Sequence, residues 1–305
     1  MSFIPKGIIP PIITPFHEDG TVNYEALAMM SRHLVKNGVH GLFPMGTTGE
    51  FYAVDDEEYR KILITVKEAV ADLKTCYGEP VTIYAGCSHI TTRGSVRLCK
   101  IAEEVGVDAV SVLTPMFVSQ TQEELYQHYK TIAQSTSLPI VMYNNKPKTN
   151  VTIQPATAAK LAHEIPNIVA IKDSTGDFTN TEEYLRLTAD IRDKFNVLLG
   201  RDTLIYAGLC YGASGAIASC ANVAPRITAD IYDKYKAGDF AGALEAQYTL
   251  APLRIACNMG TFPEVIKEGL MLQNIPVGKC LDPIQKLSDT ERETLKKVLQ
   301  DMKLI

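Results

Sequence analysis

The sequence predicts an α/β fold, a closed (β/α)8 TIM barrel in residues 1–237 with a C-terminal helical extension in residues 238–305. Three observations carry this. Eight short apolar runs alternate with eight helical patterns at near-constant spacing, as barrel closure requires. No Gly-rich nucleotide fingerprint follows the first strand, which disfavours the runner-up, an open doubly wound sheet. Polar residues recur where the apolar runs stop, and the C-terminal ends of the strands are where such a barrel carries its site.

The elements follow in order. Gly7 to Phe16 is an apolar strand interrupted by prolines, and Asp19-Gly20 turns the chain into a helix over 23–37. Gly41 to Met45 is the second strand, and Asp55-Asp56-Glu57 opens a helix with acidic residues at its positive end. Pro80 to Gly86 is the third strand, with a helix near 91–105. Asp108 to Pro115 is the fourth, with a helix from Thr121 to Ser135. Pro139 to Asn144 is the fifth, followed by a connection containing Pro147 and a helix from Pro155 to Glu164. Ile168 to Asp173 is the sixth strand, with a helix from Thr181 to Lys194. Phe195 to Gly200 is the seventh, after which Asp202 caps a short helix to Tyr211. Gly215 to Ser219 is the eighth, and Pro225 starts its helix. Helical patterns near 239–257, 262–272 and 288–302 form the extension, packing on the barrel or at a subunit interface.

Composition narrows the function classes. The 305 residues are 46% hydrophobic, ample for a large core, and carry a formal net charge of −5 with the signs interspersed. That balance argues against nucleic acid or a membrane surface as partner and favours a small molecule. No secretory signal or membrane-length apolar run is apparent. Seven cysteines without a CxxC pair fit reduced thiols in a cytoplasmic protein. The six histidines show no ligand spacing, and HExxH and Walker patterns are absent, so neither metal nor cofactor is expected.

The run Ile168-Val169-Ala170-Ile171-Lys172 ends a buried strand in a lysine. Burying an ammonium is costly, so this lysine is either paired, for instance with Asp173, or held neutral as a nucleophile. Tyr143 ends the adjacent strand and can enter the barrel mouth beside Lys172, with Val141, Ala170 and Ile168 also pointing inward. Its phenol either relays protons at the reacting carbon or lids the core. Gly46-Thr47-Thr48-Gly49-Glu50 offers hydroxyls and backbone N–H groups to a carboxylate, unless the hydroxyls bond their own loop.

Together with Ile171-Lys172-Asp173-Ser174, Gly200-Arg201-Asp202 and Ala216-Ile217-Ala218-Ser219, these motifs resemble the dihydrodipicolinate synthase and N-acetylneuraminate lyase superfamily of class I, pyruvate-dependent aldolases. The resemblance implies that Lys172 forms a Schiff base with a 2-oxo acid, that Gly46, Thr47 and Thr48 hold its carboxylate, and that Tyr143 and Thr48 assist catalysis. It also implies a pocket lined near Gly200 and Ile217 and a homotetramer built as a dimer of dimers. An iminium at Lys172 would draw electrons from the neighbouring carbon, so C–C bonds could form or break without a cofactor.

Two positions depart from that pattern. Phe117 stands where both named enzymes carry a tyrosine; in the synthase that tyrosine comes from a neighbouring subunit and completes a hydroxyl relay with the residues corresponding to Thr47 and Tyr143. Lys148 stands where the synthase has an arginine for its aldehyde's carboxylate, keeping the charge without the fork. Lys148 is either a contact for a second anion or a solvated loop charge. Asp202 is either a partner for substrate hydroxyls or a helix N-cap, and Arg201 is unassigned. The expected function is a Schiff-base lyase or aldolase acting on pyruvate or a 2-keto-3-deoxy sugar acid, by aldol chemistry or dehydration. The alternative is 4-hydroxy-tetrahydrodipicolinate synthase, condensing pyruvate with aspartate semialdehyde. A non-catalytic carboxylate-binding barrel is the reading from another class.

Overall fold

The structure, a computed structural model, describes residues 3–305. Met1 and Ser2, which begin the segment read for a secretory signal, lie outside the described residues. Eight parallel strands, β1 (Gly7–Ile8), β2 (Gly41–Leu42), β3 (Thr82–Gly86), β4 (Ala109–Leu113), β5 (Ile140–Asn144), β6 (Ile168–Asp173), β7 (Asn196–Leu199) and β8 (Gly215–Ala216), pair in the order β1-β8-β7-β6-β5-β4-β3-β2. The seam between β1 and β2 closes through His40 N–H to Ile8 O (2.9 Å), Phe43 N–H to Pro10 O (3.0 Å) and Ile12 N–H to Phe43 O (3.0 Å). Pro10 and Pro11 have no N–H to donate, so only a bridge at Pro11–Phe43 forms there in place of a ladder.

The helices are α1 (Tyr24–Lys36), α2 (Asp56–Val70), α3 (Thr92–Val105), α4 (Gln122–Ser135), the single turn α5 (Lys146–Thr149), α6 (Pro155–Glu164), α7 (Phe178–Leu187), α8 (Ile205–Tyr211) and α9 (Pro225–Lys236). The extension adds α10 (Phe240–Ala256), α11 (Glu264–Leu272) and α12 (Asp289–Asp301). Capping boxes start α2, α4 and α12, with Asp55, Thr121 and Ser288 pairing with Glu58, Glu124 and Glu291. The helix expected over 181–194 begins earlier, where Asp177 accepts the Thr179 N–H, and stops at Leu187. There the Thr188 hydroxyl bonds back to Tyr184 O at 2.8 Å, and the chain tightens into the turn Ala189–Ile191. Among the described residues no helix is long and apolar enough to cross a membrane.

The barrel interior is filled by one residue from each strand or its continuation: Ile9, Phe43, Tyr84, Ala109, Val141, Ala170, Leu198 and Ile217. This layer is the floor on which the site stands. Ile168, expected to point inward with Ala170, belongs instead to the outer core between strands and helices. The cause is a register shift in which Ile140 pairs with Ile168 but Val141 pairs with Ala170; the extra residue on β6 reverses the alternation behind it.

The extension is locked to the barrel by a buried ion pair. Glu50 and Lys267 are both fully buried, with Nζ 2.6 Å from Oε1, a close ion pair although its angle is not that of an aligned hydrogen bond. Lys267 also donates to Lys279 O (3.1 Å), and Glu50 Oε2 accepts the Leu281 N–H (3.0 Å). Removing one partner leaves the other charge buried and unmatched, which costs about 3–5 kcal/mol. Lys267→Met is therefore expected to lose that much unfolding free energy, and Glu50→Gln with Lys267→Met to recover a large part of it. Urea denaturation checks this, and an equal loss in both variants would refute the coupling.

Candidate active site

A cavity of about 210 Å³ opens at the C-terminal ends of the strands and contains Lys172 and Tyr143. The two are register partners on β6 and β5, which sets their side chains abreast above the interior layer. Lys172 is 3% exposed and Tyr143 4%. The amine lies 3.9 Å from the Tyr143 ring centroid and 5.2 Å from that of Phe43.

Lys172 forms no ion pair among the described residues. The salt bridge to Asp173 is excluded by alternation: Asp173 faces the outer side, where it accepts from Thr181 Oγ1 (2.6 Å), Thr175 N–H (3.1 Å) and Asn144 Nδ2 (3.3 Å). Burial holds the Lys172 amine below its ordinary pKa, opposed in part by the phenol of Tyr143 and the more distant charge of Asp202. Burial alone would raise the Tyr143 phenol, but the Lys172 charge and the nearby Thr47 and Ser174 hydroxyls outweigh it, so its pKa is lowered. Asn145 Nδ2 donates to the phenol oxygen at 2.9 Å and orients it. Amine and phenol are both held below their ordinary values and lie in contact, which allows a proton to pass between them.

Thr47–Gly49 form one 3-10 turn after β2, so Thr47 and Thr48 enter the cavity together. Neither hydroxyl bonds its own loop: Thr48 Oγ1 pairs with Ser219 Oγ at 3.4 Å, and Thr47 Oγ1 is buried without an aligned partner. Ser174 Oγ is likewise buried and unpaired in strict geometry, although it lies near enough to Tyr143 to influence the phenol. Buried polar atoms without partners cost about 1–3 kcal/mol each, a cost an oxyanion in the cavity would relieve. Gly200 permits this crowding, since a Cβ there would come within 1.9 Å of Ser174 Oγ.

The cavity brings together Thr47, Thr48, Tyr143, Lys148, Lys172, Gly200 and Asp202 among the expected residues. Gly46 and Ile217 are outside the lining. Gly46 packs against Phe43, whose ring would meet its Cβ at 3.0 Å, while Ile217 is 1% exposed in the interior layer with its N–H bonded to Leu199 O. Asp202 caps no helix; its Oδ1 accepts the Cys220 N–H (2.8 Å) and joins the ends of β7 and β8. Phe117 is absent from this cavity and almost fully exposed on its loop at φ 80°. Sequence reading missed Ser174, Ser219 and Asn145, which lay inside or beside the motifs, and Arg254, Asn258 and Phe262, which the extension supplies far along the chain. The cluster His40, Cys76 and Asp233 lies where the strands begin; His40 Nδ1 accepts the Ile8 N–H (3.0 Å), which places the ring proton on Nε2 toward Asp233.

The sequence matches the dihydrodipicolinate synthetase family over residues 4–302. The chain belongs to this family. Among its relatives, the 4-hydroxy-tetrahydrodipicolinate synthase of Methanothrix thermoacetophila is 35% identical over 297 residues, 97% of each chain. The dihydrodipicolinate synthase structure from Thermotoga maritima superimposes with a TM-score of 0.94 at 32% identity, covering 99% of this chain and 100% of that one. A prophage protein of the dihydrodipicolinic acid synthase family from E. coli K12, solved in complex with pyruvate, gives 0.92 at 29% identity, covering 98% and 99%. As a member of the dihydrodipicolinate synthetase family the chain is an enzyme, a class I lyase of the lysine Schiff-base kind, which sets aside the non-catalytic barrel.

The pKa directions set the sign of a pH test. Only the free amine attacks a carbonyl, so adduct formation rises with pH through a midpoint below the ordinary lysine value of about 10.4. Tyr143→Phe removes a group that raises the Lys172 pKa, and the midpoint is expected to move lower still, while turnover falls roughly 10²- to 10⁴-fold. Borohydride trapping measured against pH checks the shift; a midpoint that moves upward would contradict it.

Proposed function

We propose that this enzyme is a 4-hydroxy-tetrahydrodipicolinate synthase, condensing pyruvate with aspartate semialdehyde through a Schiff base at Lys172. The observation that carries the mechanism is a buried amine with no carboxylate partner, beside a phenol and facing unpaired hydroxyls. In this reading Thr47 and Thr48 hold the pyruvate carboxylate and Lys172 Nζ adds to the keto carbon. Tyr143 relays the protons that let water leave and the methyl carbon become an enamine. The enamine carbon then bonds to the aldehyde carbon, whose oxygen takes a proton, and the amine of aspartate semialdehyde attacks the iminium carbon, closing the ring and expelling the Lys172 amine. The relatives' names weigh toward the synthase over the broader sugar-acid reading favoured by sequence alone.

A second reading, aldol cleavage of a 2-keto-3-deoxy sugar acid, is supported by Lys148, which lacks the guanidinium fork the synthase uses for its aldehyde's carboxylate. A cytoplasmic homotetramer belongs to both readings. Sedimentation showing only monomer at micromolar concentration would count against that assembly.

Incubation with pyruvate and borohydride is expected to leave a reduced pyruvyl group on Lys172, seen by peptide mass spectrometry, and none in Lys172→Ala. An unmodified Lys172 in the wild-type protein would refute the Schiff-base assignment. Rapid pyruvate consumption with aspartate semialdehyde then selects the synthase; pyruvate release from 2-keto-3-deoxy sugar acids, without that reaction, selects the second reading.

A further inference from the structure

The cavity carries more positive charge than its floor chemistry uses. Beyond Lys172 its wall includes Arg201 from the end of β7, Arg254 from α10 and Lys148 from the single turn α5, with Asp202 as the single carboxylate in the lining. Asp202 is already engaged by the Cys220 N–H, and its other oxygen is 3.7 Å from Arg254 Nε, inside ion-pair range and beyond hydrogen-bond reach. The Arg201 guanidinium has no hydrogen bond or ion pair among the described residues; it rests over Gly176 (φ 81°), where a Cβ would approach Nε to 2.9 Å. Arginines on the outer helices, such as Arg32, Arg60, Arg97 and Arg186, meet carboxylates at 2.5–2.7 Å. The two in the cavity instead line one wall, Arg254 with Asp202 at 3.7 Å and Arg201 with no carboxylate partner. Burial and then the charge of Arg254 lower the Arg201 pKa, and Asp202 offsets this only in part. Two half-buried guanidiniums sharing one committed carboxylate are short of one negative charge.

We propose that Arg201 and Arg254 form a subsite for a second oxyanion, the distal carboxylate or phosphate of the molecule that joins or leaves the pyruvyl enamine. Helix α10 of the extension thereby sets acceptor specificity. The inference rests on the Schiff-base reading and adds the residues that hold the acceptor's anion. Guanidinium suits this role because its planar fork donates two parallel hydrogen bonds to a carboxylate or phosphate, where the Lys148 ammonium acts as a point charge on an exposed turn.

The test uses the full-length protein and three aldehydes with pyruvate: succinic semialdehyde, which carries a carboxylate and no amine, glyceraldehyde 3-phosphate, and uncharged glyceraldehyde. The wild type is expected to favour one of the two anionic acceptors over glyceraldehyde, and which one it favours separates carboxylate from phosphate. In Arg254→Gln and Arg201→Gln the ratio of kcat/KM for that acceptor to kcat/KM for glyceraldehyde is expected to fall roughly 10- to 100-fold. Arg254→Lys, which keeps the charge and loses the fork, should lie between. Borohydride trapping of pyruvate reports whether each variant keeps a formed site; if Arg254→Gln no longer traps pyruvate, Arg254→Lys carries the test. A wild type that traps no pyruvate overturns both the Schiff-base reading and this one. Trapping that persists with an unchanged acceptor ratio in the arginine variants, or a preference that collapses in Lys148→Gln alone, overturns the arginine subsite and leaves the Schiff base standing.

Discussion

The site depends on one constraint: an amine is held in the barrel mouth without a counter-ion. Lys172 sits between the faces of Phe43 and Tyr143 above a layer of apolar side chains, and the acid next to it in sequence points the other way. The side chain is buried and no carboxylate pairs with it, so its pKa is held below the ordinary lysine value. The surrounding polar groups fit that condition. Tyr143 is oriented by Asn145, and the Thr47 and Ser174 hydroxyls keep unspent hydrogen-bonding capacity, so a bound oxyanion would find prepared donors.

The second constraint joins the helical extension to that site. Glu50 closes the same loop that presents Thr47 and Thr48, and its buried carboxylate is matched by Lys267 of α11 and by the Leu281 N–H. The turn that lines the cavity is thus tied to residues more than two hundred positions later. The same extension brings Arg254, Asn258 and Phe262 to the cavity from α10 and the segment after it. The barrel supplies the floor and the reactive pair, and the extension supplies part of the far wall.

The residues legible in sequence share a local signature. Lys172, Tyr143, Thr47 and Thr48 each stand where an apolar run stops, and strand periodicity alone aims Tyr143 and Lys172 inward. Ile168 shows the limit of that rule, because the bulge that reverses its direction depends on how β5 and β6 pair rather than on either strand's composition. Ile217 and Gly46 show another: both lie in the right motifs, yet packing against the interior layer leaves them outside the cavity. Arg254 carried no such signature, since a charged residue on a helix beyond the barrel reads as solvated until its neighbours in space are known.

The sequence by itself determined the barrel, the order of its elements and the place of a lysine at the end of the sixth strand, because alternation, helix caps and strand ends are local properties of the chain. Only the tertiary structure decided that Lys172 lacks a counter-ion, that Glu50 and Lys267 neutralise each other, and that two arginines face a common cavity. Those are long-range juxtapositions. Charge balance at a buried point is a sum over everything packed around it, and no stretch of sequence contains that sum.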